Sequence, residues 1–383
     1  MSKASIFITP TPEVDLSIFA GTNIKRLSDD VAGVIKSLNT PPAGFFLGIQ
    51  DADEQFGRLL EPGGITICAA RPSVGKTLFA TQVAEYHAAR GLNVLIWSLE
   101  MSRKQLLLRL ISKHSGVSVK KMKNQEVQGD EWASITTAAE SVTKSTKTLL
   151  VNDISSIQIN QIVAESKMIH QRLLNETGKG LELIVVDYIQ LIDGAESGNE
   201  TRQLEIASVS SGLRCLAKDL NLPILALAQL NRDLEKRADK RPNIGDLRES
   251  GQIEQDASII TFLYREMIYC EDCKRPGTTC TKNHEHDAEL LIAKNRDGET
   301  GGVQLYFDGA RQLFGSLSHD DKKHKDDLAK DETARLAKEE AKKKTRSAAT
   351  EKDKSPKNPY KPHAPKEDAL MRGALLNHLR GGK

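Results

Sequence analysis

The residues best equipped for chemistry in this chain form one short run, Ala70-Arg71-Pro72-Ser73-Val74-Gly75-Lys76-Thr77. Ile65 to Ala69 before it has strand composition, and Leu78 to Ala84 after it has helix character. A loop passing from a strand into a helix N-terminus turns its backbone N–H groups towards an anion, and G-x-x-x-x-G-K-[ST] is the pattern that cradles phosphates. Lys76 would reach the β- and γ-oxygens of a nucleoside triphosphate, and the Thr77 hydroxyl would face Mg²⁺. Ala70 stands where the pattern asks for its first glycine.

Three more apolar runs close on polar residues suited to the same ligand. Leu181 to Val186 ends at Asp187, which could hold Mg²⁺ and its water. Leu92 to Leu99 ends at Glu100, a carboxylate able to polarise an attacking water. Pro223 to Ala228 ends at Gln229, an amide able to sense a γ-phosphate by hydrogen bonding. Unbroken apolar runs mark strands buried on both faces, as in parallel sheets. Such sheets gather their ligand at the carboxyl edge. The predicted fold is α/β, with a mostly parallel central sheet flanked by helices.

Cys270, Cys273, Cys280 and His284, with His286 just beyond, have ligand types and spacing suited to one tetrahedral Zn²⁺. Protein would fill all four positions, so the site would be structural. A surface loop with reduced thiols is the other reading of the same residues. Cys68 and Cys215 sit in apolar runs and are expected in the core.

Periodic apolar segments stop near Phe314 in a chain of 383 residues. This predicts an N-terminal segment, 1–43, with a helix at about 23–38; an ATPase domain, 44–315; and a charged tail, 316–383. The tail carries 18 Lys+Arg against 12 Asp+Glu; from totals of 54 and 52, this leaves 36 against 40 elsewhere. With few large apolar residues, the tail cannot bury enough surface to fold alone and is expected to be largely disordered. A terminal amphipathic helix over 368–380 could dock on a partner, touch DNA or stay loose. No apolar run approaches the roughly 20 residues that span a bilayer. The first residues lack the apolar core of a signal peptide, and the cysteines do not form a secreted disulfide framework. A cytoplasmic protein with no membrane partner is expected.

Several motifs occur in a fixed order: AARPSVGKT, Trp97-Ser98-Leu99-Glu100-Met101-Ser102, Val186-Asp187-Tyr188-Ile189-Gln190-Leu191 and Ala228-Gln229-Leu230-Asn231-Arg232. Asp246-Leu247-Arg248-Glu249-Ser250-Gly251, Ile253-Glu254-Gln255-Asp256-Ala257 and Ala293-Lys294-Asn295-Arg296-Asp297-Gly298 follow. Together, over roughly residues 40 to 315, they resemble the DnaB-like replicative DNA helicases of bacteria and phages. That family tolerates alanine at the position of Ala70. The resemblance implies a RecA-like core driven by ATP and Mg²⁺, working as a homo-oligomeric, hexameric ring. Such a ring translocates on single-stranded DNA and unwinds duplex DNA during replication.

By the same resemblance, Lys294 and Arg296 form a basic pair that reaches into the neighbouring subunit's nucleotide site. Asp246 to Gly251 matches the loop that grips single-stranded DNA. Arg248 would pair with phosphate there, and the Glu249 and Gly251 amides would bind phosphate oxygens without reading bases. Arg248 could instead pair with a nearby acid. The helix at 23–38 matches one that packs on the adjacent subunit, although it could pack on its own domain. Few residues precede it, so the family's helical N-terminal domain is expected to be lacking, which puts primase docking in doubt; primase and a helicase loader stand as candidate partners. Two other classes share this nucleotide machinery. A RecA-like recombination or repair ATPase should lack DLRESG followed by IEQDA, and a regulatory DNA-binding ATPase would not translocate.

Overall fold

A computed structural model of the protein describes residues 27–37, 44–194, 202–247, 251–275, 280 and 284–317. The expectations for the tail beyond Leu317, for Arg248 and Glu249, and for positions 23–26 and 38 of the N-terminal helix lie outside the described residues.

The N-terminal helix α1 (Leu27–Ser37) places Leu27, Val31, Val34 and Ile35 at helical spacing on one face, and all four are more than half exposed. The next helix, α2 (Gln50–Phe56), leads into the ATPase domain. Its first half runs β1 (Ile65–Ala70), α3 (Lys76–Ala88), β2 (Val94–Ser98), α4 (Arg103–Ser115), α5 (Val119–Lys123), α6 (Asp130–Ser145) and β3 (Leu149–Asn152). Then follow β4 (Ile157–Gln158), α7 (Ile159–Thr177), β5 (Leu183–Asp187), β6 (Ile192–Asp193), α8 (Arg202–Leu220) and β7 (Ile224–Gln229). The last part holds α9 (Gly251–Asp256), β8 (Ile259–Tyr264), α10 (Glu271–Lys274), β9 (Asp287–Asn295), β10 (Gly301–Asp308) and β11 (Leu313–Gly315).

Among the described residues the main sheet has nine strands in the order β11-β10-β9-β8-β1-β7-β5-β2-β3. From β8 to β3 neighbouring strands are parallel, and β9, β10 and β11 add an antiparallel wing. The prediction of a mostly parallel sheet holds because β1, β2, β5 and β7 are apolar on both faces. Alternate residues feed two cores. Ile67, Leu95, Trp97, Ile184 and Val186 pack with α7 and α8, whereas Cys68, Val94, Ile96 and Val185 pack with α3. Helix α3 is accordingly buried almost all round, including Glu85. That carboxylate accepts bonds from Lys113 Nζ (2.6 Å) and Ser145 Oγ (2.9 Å) and pairs with His114 Nε2 (2.6 Å), tying α3 to α4 and α6. No helix among the described residues is long and apolar enough to cross a membrane.

Two expectations are corrected. Cys215 is exposed, although Cys68 is buried. In α8 the helical period turns Leu213, Leu216 and Ala217 inward and leaves position 215 outside. The packed chain also extends past Gly315: Ser316 Oγ accepts the Asp51 N–H (3.1 Å), and Asp51 accepts the Leu317 N–H (2.9 Å).

Candidate functional site

Adjacent strands β1, β7, β5 and β2 end together at one edge of the sheet. Ala70 lies opposite Gln229, and Ser98 opposite Asp187. This brings the predicted phosphate loop beside the predicted acid and amide. Ala70 is the last residue of β1 and needs no left-handed backbone, which is why alanine serves there. Gly75 has φ 118° and ends the loop at the first turn of α3. A Cβ on it would stand 2.9 Å from Phe314 Cζ, so glycine is required for both backbone and space. The Arg71 side chain is turned into the protein. Its guanidinium bonds Glu235 (2.6 Å) and the Leu230 carbonyl (2.8 Å). The Val74 side chain is likewise committed to the core.

Lys76, at the start of α3, is 7% exposed, and its Nζ lies 4.6 Å from the centre of the Tyr188 ring. Asp187, at the end of β5, is 2% exposed. Burial pushes its carboxyl up to about 6, opposed by the neighbouring Thr77 hydroxyl and the Lys76 ammonium. Burial also lowers the Lys76 ammonium, with Asp187 and Glu100 pulling it back up. Neither Lys76 Nζ nor either Asp187 oxygen completes a hydrogen bond among the described residues. Buried polar groups of opposite sign without partners are costly, and they fit a polyphosphate with its divalent cation. Thr77 is half-buried beside them, and exposed Glu100 acts on Lys76, Asp187 and Arg109 alike.

Two participants escaped the sequence reading. Arg109 of α4 is half-buried, lowered by burial and raised by Asp187 and Glu100. Its signal was a charge on the face that buries Leu106 and Leu110. Gln190 grips the end of β7, accepting the Gln229 N–H (3.1 Å) and donating to its carbonyl (3.2 Å).

The other predicted residues lie apart from this edge. Lys294 Nζ and Arg296 Nη2 donate to the carbonyls of Glu254 and Gln255 at 2.5 and 2.6 Å. Both therefore stand at the end of α9, and Arg296 is exposed. Asp246 is buried, bonded by Arg237 (2.8 Å) and by the Asn243 N–H (2.8 Å), and Gly251 opens α9.

Cys270, Cys273, Cys280 and His284 converge with their ligand atoms all within 4.8 Å of one another. The Sγ atoms of Cys270 and Cys280 are 3.8 Å apart, and His284 Nε2 lies 3.1 Å from Cys273 Sγ and 3.4 Å from Cys280 Sγ. Tetrahedral zinc requires edges of about 3.8 Å between sulfurs and about 3.6 Å between sulfur and nitrogen, so the donor set fits that ion. His284 Nδ1 faces Glu266 at 3.8 Å, a carboxylate placed to orient the ring. His286 turns away: its Nδ1 meets the Phe307 carbonyl at 2.8 Å, and its ring stacks on Tyr306.

This strand order, with a phosphate loop between β1 and α3, belongs to the RecA-like ATPase domains. More narrowly, the chain belongs to the DnaB-like helicase C terminal domain family, whose model matches residues 44–316. It is 39% identical over 302 residues to the replicative DNA helicase DnaB of Buchnera aphidicola subsp. Baizongia pistaciae, covering 77% of this chain and 61% of that protein. It is 40% identical over 244 residues to DnaB of Geobacillus stearothermophilus, covering 63% of this chain and 50% of that one. The chain thus spans about half to three fifths of these relatives' length. Among solved structures, a DnaB-like replicative helicase described with its interactions with primase aligns at TM-score 0.67 and 30% identity, over 76% of this chain and 69% of that one. A second solved structure, an isolated ATPase domain, aligns at TM-score 0.68 and 29% identity, over 77% of this chain and all of that domain.

Proposed function

We propose that this protein is an ATP-dependent DNA helicase that works as a hexameric ring, translocating on single-stranded DNA and unwinding duplex DNA in replication. The observation that carries this reading is the buried Lys76 ammonium and Asp187 carboxylate, neither completing a hydrogen bond among the described residues, beside the phosphate-loop motif of a DnaB-like domain. Backbone from Ala70 to Thr77 would hold the phosphates, and Lys76 would neutralise the β- and γ-oxygens. Thr77 and Asp187 would hold Mg²⁺, which when bound neutralises charge developing on the phosphates. Glu100 would orient and deprotonate the attacking water, and Gln229, held by Gln190, would respond to loss of the γ-phosphate. Lys294 and Arg296 would complete the neighbouring subunit's site, and the apolar face of α1 would dock on an adjacent copy. Arg248, with the Glu249 and Gly251 amides, would grip the DNA backbone. The motor would comprise residues 44–317, and Cys270, Cys273, Cys280 and His284 would hold one structural Zn²⁺. A primase, which the aligned helicase structure is described with, and a helicase loader would be candidate partners, and the site of action would be the cytoplasm.

The test is unwinding of a forked duplex by the purified full chain with MgATP, with ring size measured in parallel and Lys76→Ala as the inactive control. Filaments that exchange strands would favour the recombinase class. Hydrolysis that single-stranded DNA does not stimulate would favour a regulatory ATPase.

A further inference from the structure

Two threads of packing leave the Cys/His cluster. The first begins at Tyr269, the residue before Cys270. It is buried, and its ring stacks on Tyr264 at 5.5 Å. Past Tyr264 lies Arg241, whose carbonyl accepts from Arg237 Nη2 (2.8 Å), and Arg237 Nη2 also bonds Asp246 (2.8 Å). Asp246 opens the segment proposed to grip DNA. The same root is braced by Arg241, whose guanidinium lies 5.6 Å from the Tyr264 ring and 2.8 Å from Glu289.

The second thread begins at Glu285, the residue after His284. Its carbonyl accepts from Arg265 Nη2 at 3.4 Å, and the Arg265 guanidinium lies 3.5 Å over the Phe307 ring. Phe307 packs on Phe314 at 5.0 Å, and Phe314 fills the space beside Gly75 of the phosphate loop. The residues starting the two threads are therefore the immediate neighbours of the first and last ligands. Tyr269 and Ile268 anchor the start of the connection between β8 and β9 on the core, and a metal crosslink would order the stretch from Cys270 to His284 against that anchor.

We propose that Zn²⁺ bound by Cys270, Cys273, Cys280 and His284 is a strut that fixes Tyr269 and Glu285, and so couples the phosphate loop to the root of the DNA-gripping segment. The coupling to DNA rests on the function proposed above; the metal and its mechanical effect do not.

The experiment uses the full chain. Metal is measured by elemental analysis and, after a zinc-selective chelator and exchange, by the visible spectrum with Co²⁺. Hydrogen exchange is then compared for the loaded protein, the stripped protein, Cys273→Ser and Tyr269→Ala. About one zinc per chain and a tetrahedral thiolate–Co²⁺ spectrum are expected. Stripping and Cys273→Ser should raise exchange several-fold both at 71–75 and at 231–247, segments remote in sequence from the loop. Tyr269→Ala should keep its zinc and yet loosen 231–247. Single-stranded DNA should stimulate the ATPase of the loaded protein, and much less that of the stripped one. Absence of zinc and of the cobalt spectrum overturns the metal site. Zinc whose removal changes exchange only within 266–286 overturns the strut. Loaded protein that shows the distant exchange changes but no stimulation by DNA overturns the helicase reading instead, and leaves the strut supported.

Discussion

Asp187→Asn should make the nucleotide-free protein more stable while abolishing its hydrolysis. The carboxyl rises from 3.8 to about 6 because burial penalises its charge more than Thr77 and Lys76 reward it. At about 1.36 kcal/mol per unit, this amounts to about 3 kcal/mol at neutral pH. Below 3.8 both folded and unfolded chains are protonated and the penalty is absent. Between that value and about 6 the unfolded chain sheds its proton first, so stability is lost as pH rises, and above about 6 the loss is complete. Asparagine keeps the shape without the charge, so the variant should gain the full amount at pH 7.5 and lose the slope between those values. For a domain of this size that is a melting rise on the order of 6–10 °C. The assay is urea and thermal unfolding at several pH values, with and without Mg²⁺ and a non-hydrolysable nucleotide. Saturating nucleotide at about 100 times its Kd should add about 2.7 kcal/mol to the parent and far less to the variant, closing the gap. A nucleotide-free variant no more stable than the parent, with the pH slope intact, would refute this account of the buried pair.

Three other outcomes are expected. Arg296→Ala should abolish hydrolysis but keep nucleotide binding, and mixing it with Lys76→Ala protein should restore some turnover; mixed rings that never recover would count against action in trans. Arg248→Ala should weaken single-strand binding equally for all sequences and reduce the salt slope by about one, checked by titrations at several salt concentrations. Glu85 would be raised by burial alone, but Lys113 and the bonds from Lys113 and His114 hold its carboxyl below the usual range. Its contribution is present above 4.5 and lost as pH falls through the lower folded value. Glu85→Ala should therefore cost about 3 kcal/mol at pH 7, a deficit that shrinks in acid, as denaturant titrations would show.

The strands around the site were legible because of their burial. A parallel strand covered on both faces must stay apolar to its edge, so Asp187 and Gln229, the first polar residues after Leu183 and Ile224, mark where the ligand side begins. Arg109 was not legible, because what matters is its approach to Asp187 and Glu100 across helix α4. The choice of His284 over His286 was equally hidden, since both fit the spacing.

By itself, then, the sequence determined the α/β class and pointed to the phosphate-loop pattern from Ala70 to Thr77, the acids and amide that close the apolar runs, and three cysteines with two histidines of zinc-ligand type. These depend on local pattern: hydrophobic period, a glycine before a lysine, cysteines a few residues apart. Only the tertiary structure decided that Arg71 is spent on Glu235, 164 residues away, and that Phe314 closes the space beside Gly75. It also placed Cys215 in solvent, and turned His286 to the Phe307 carbonyl and away from the cysteines. Such contacts follow from strand order and packing between distant segments, which no local spacing encodes.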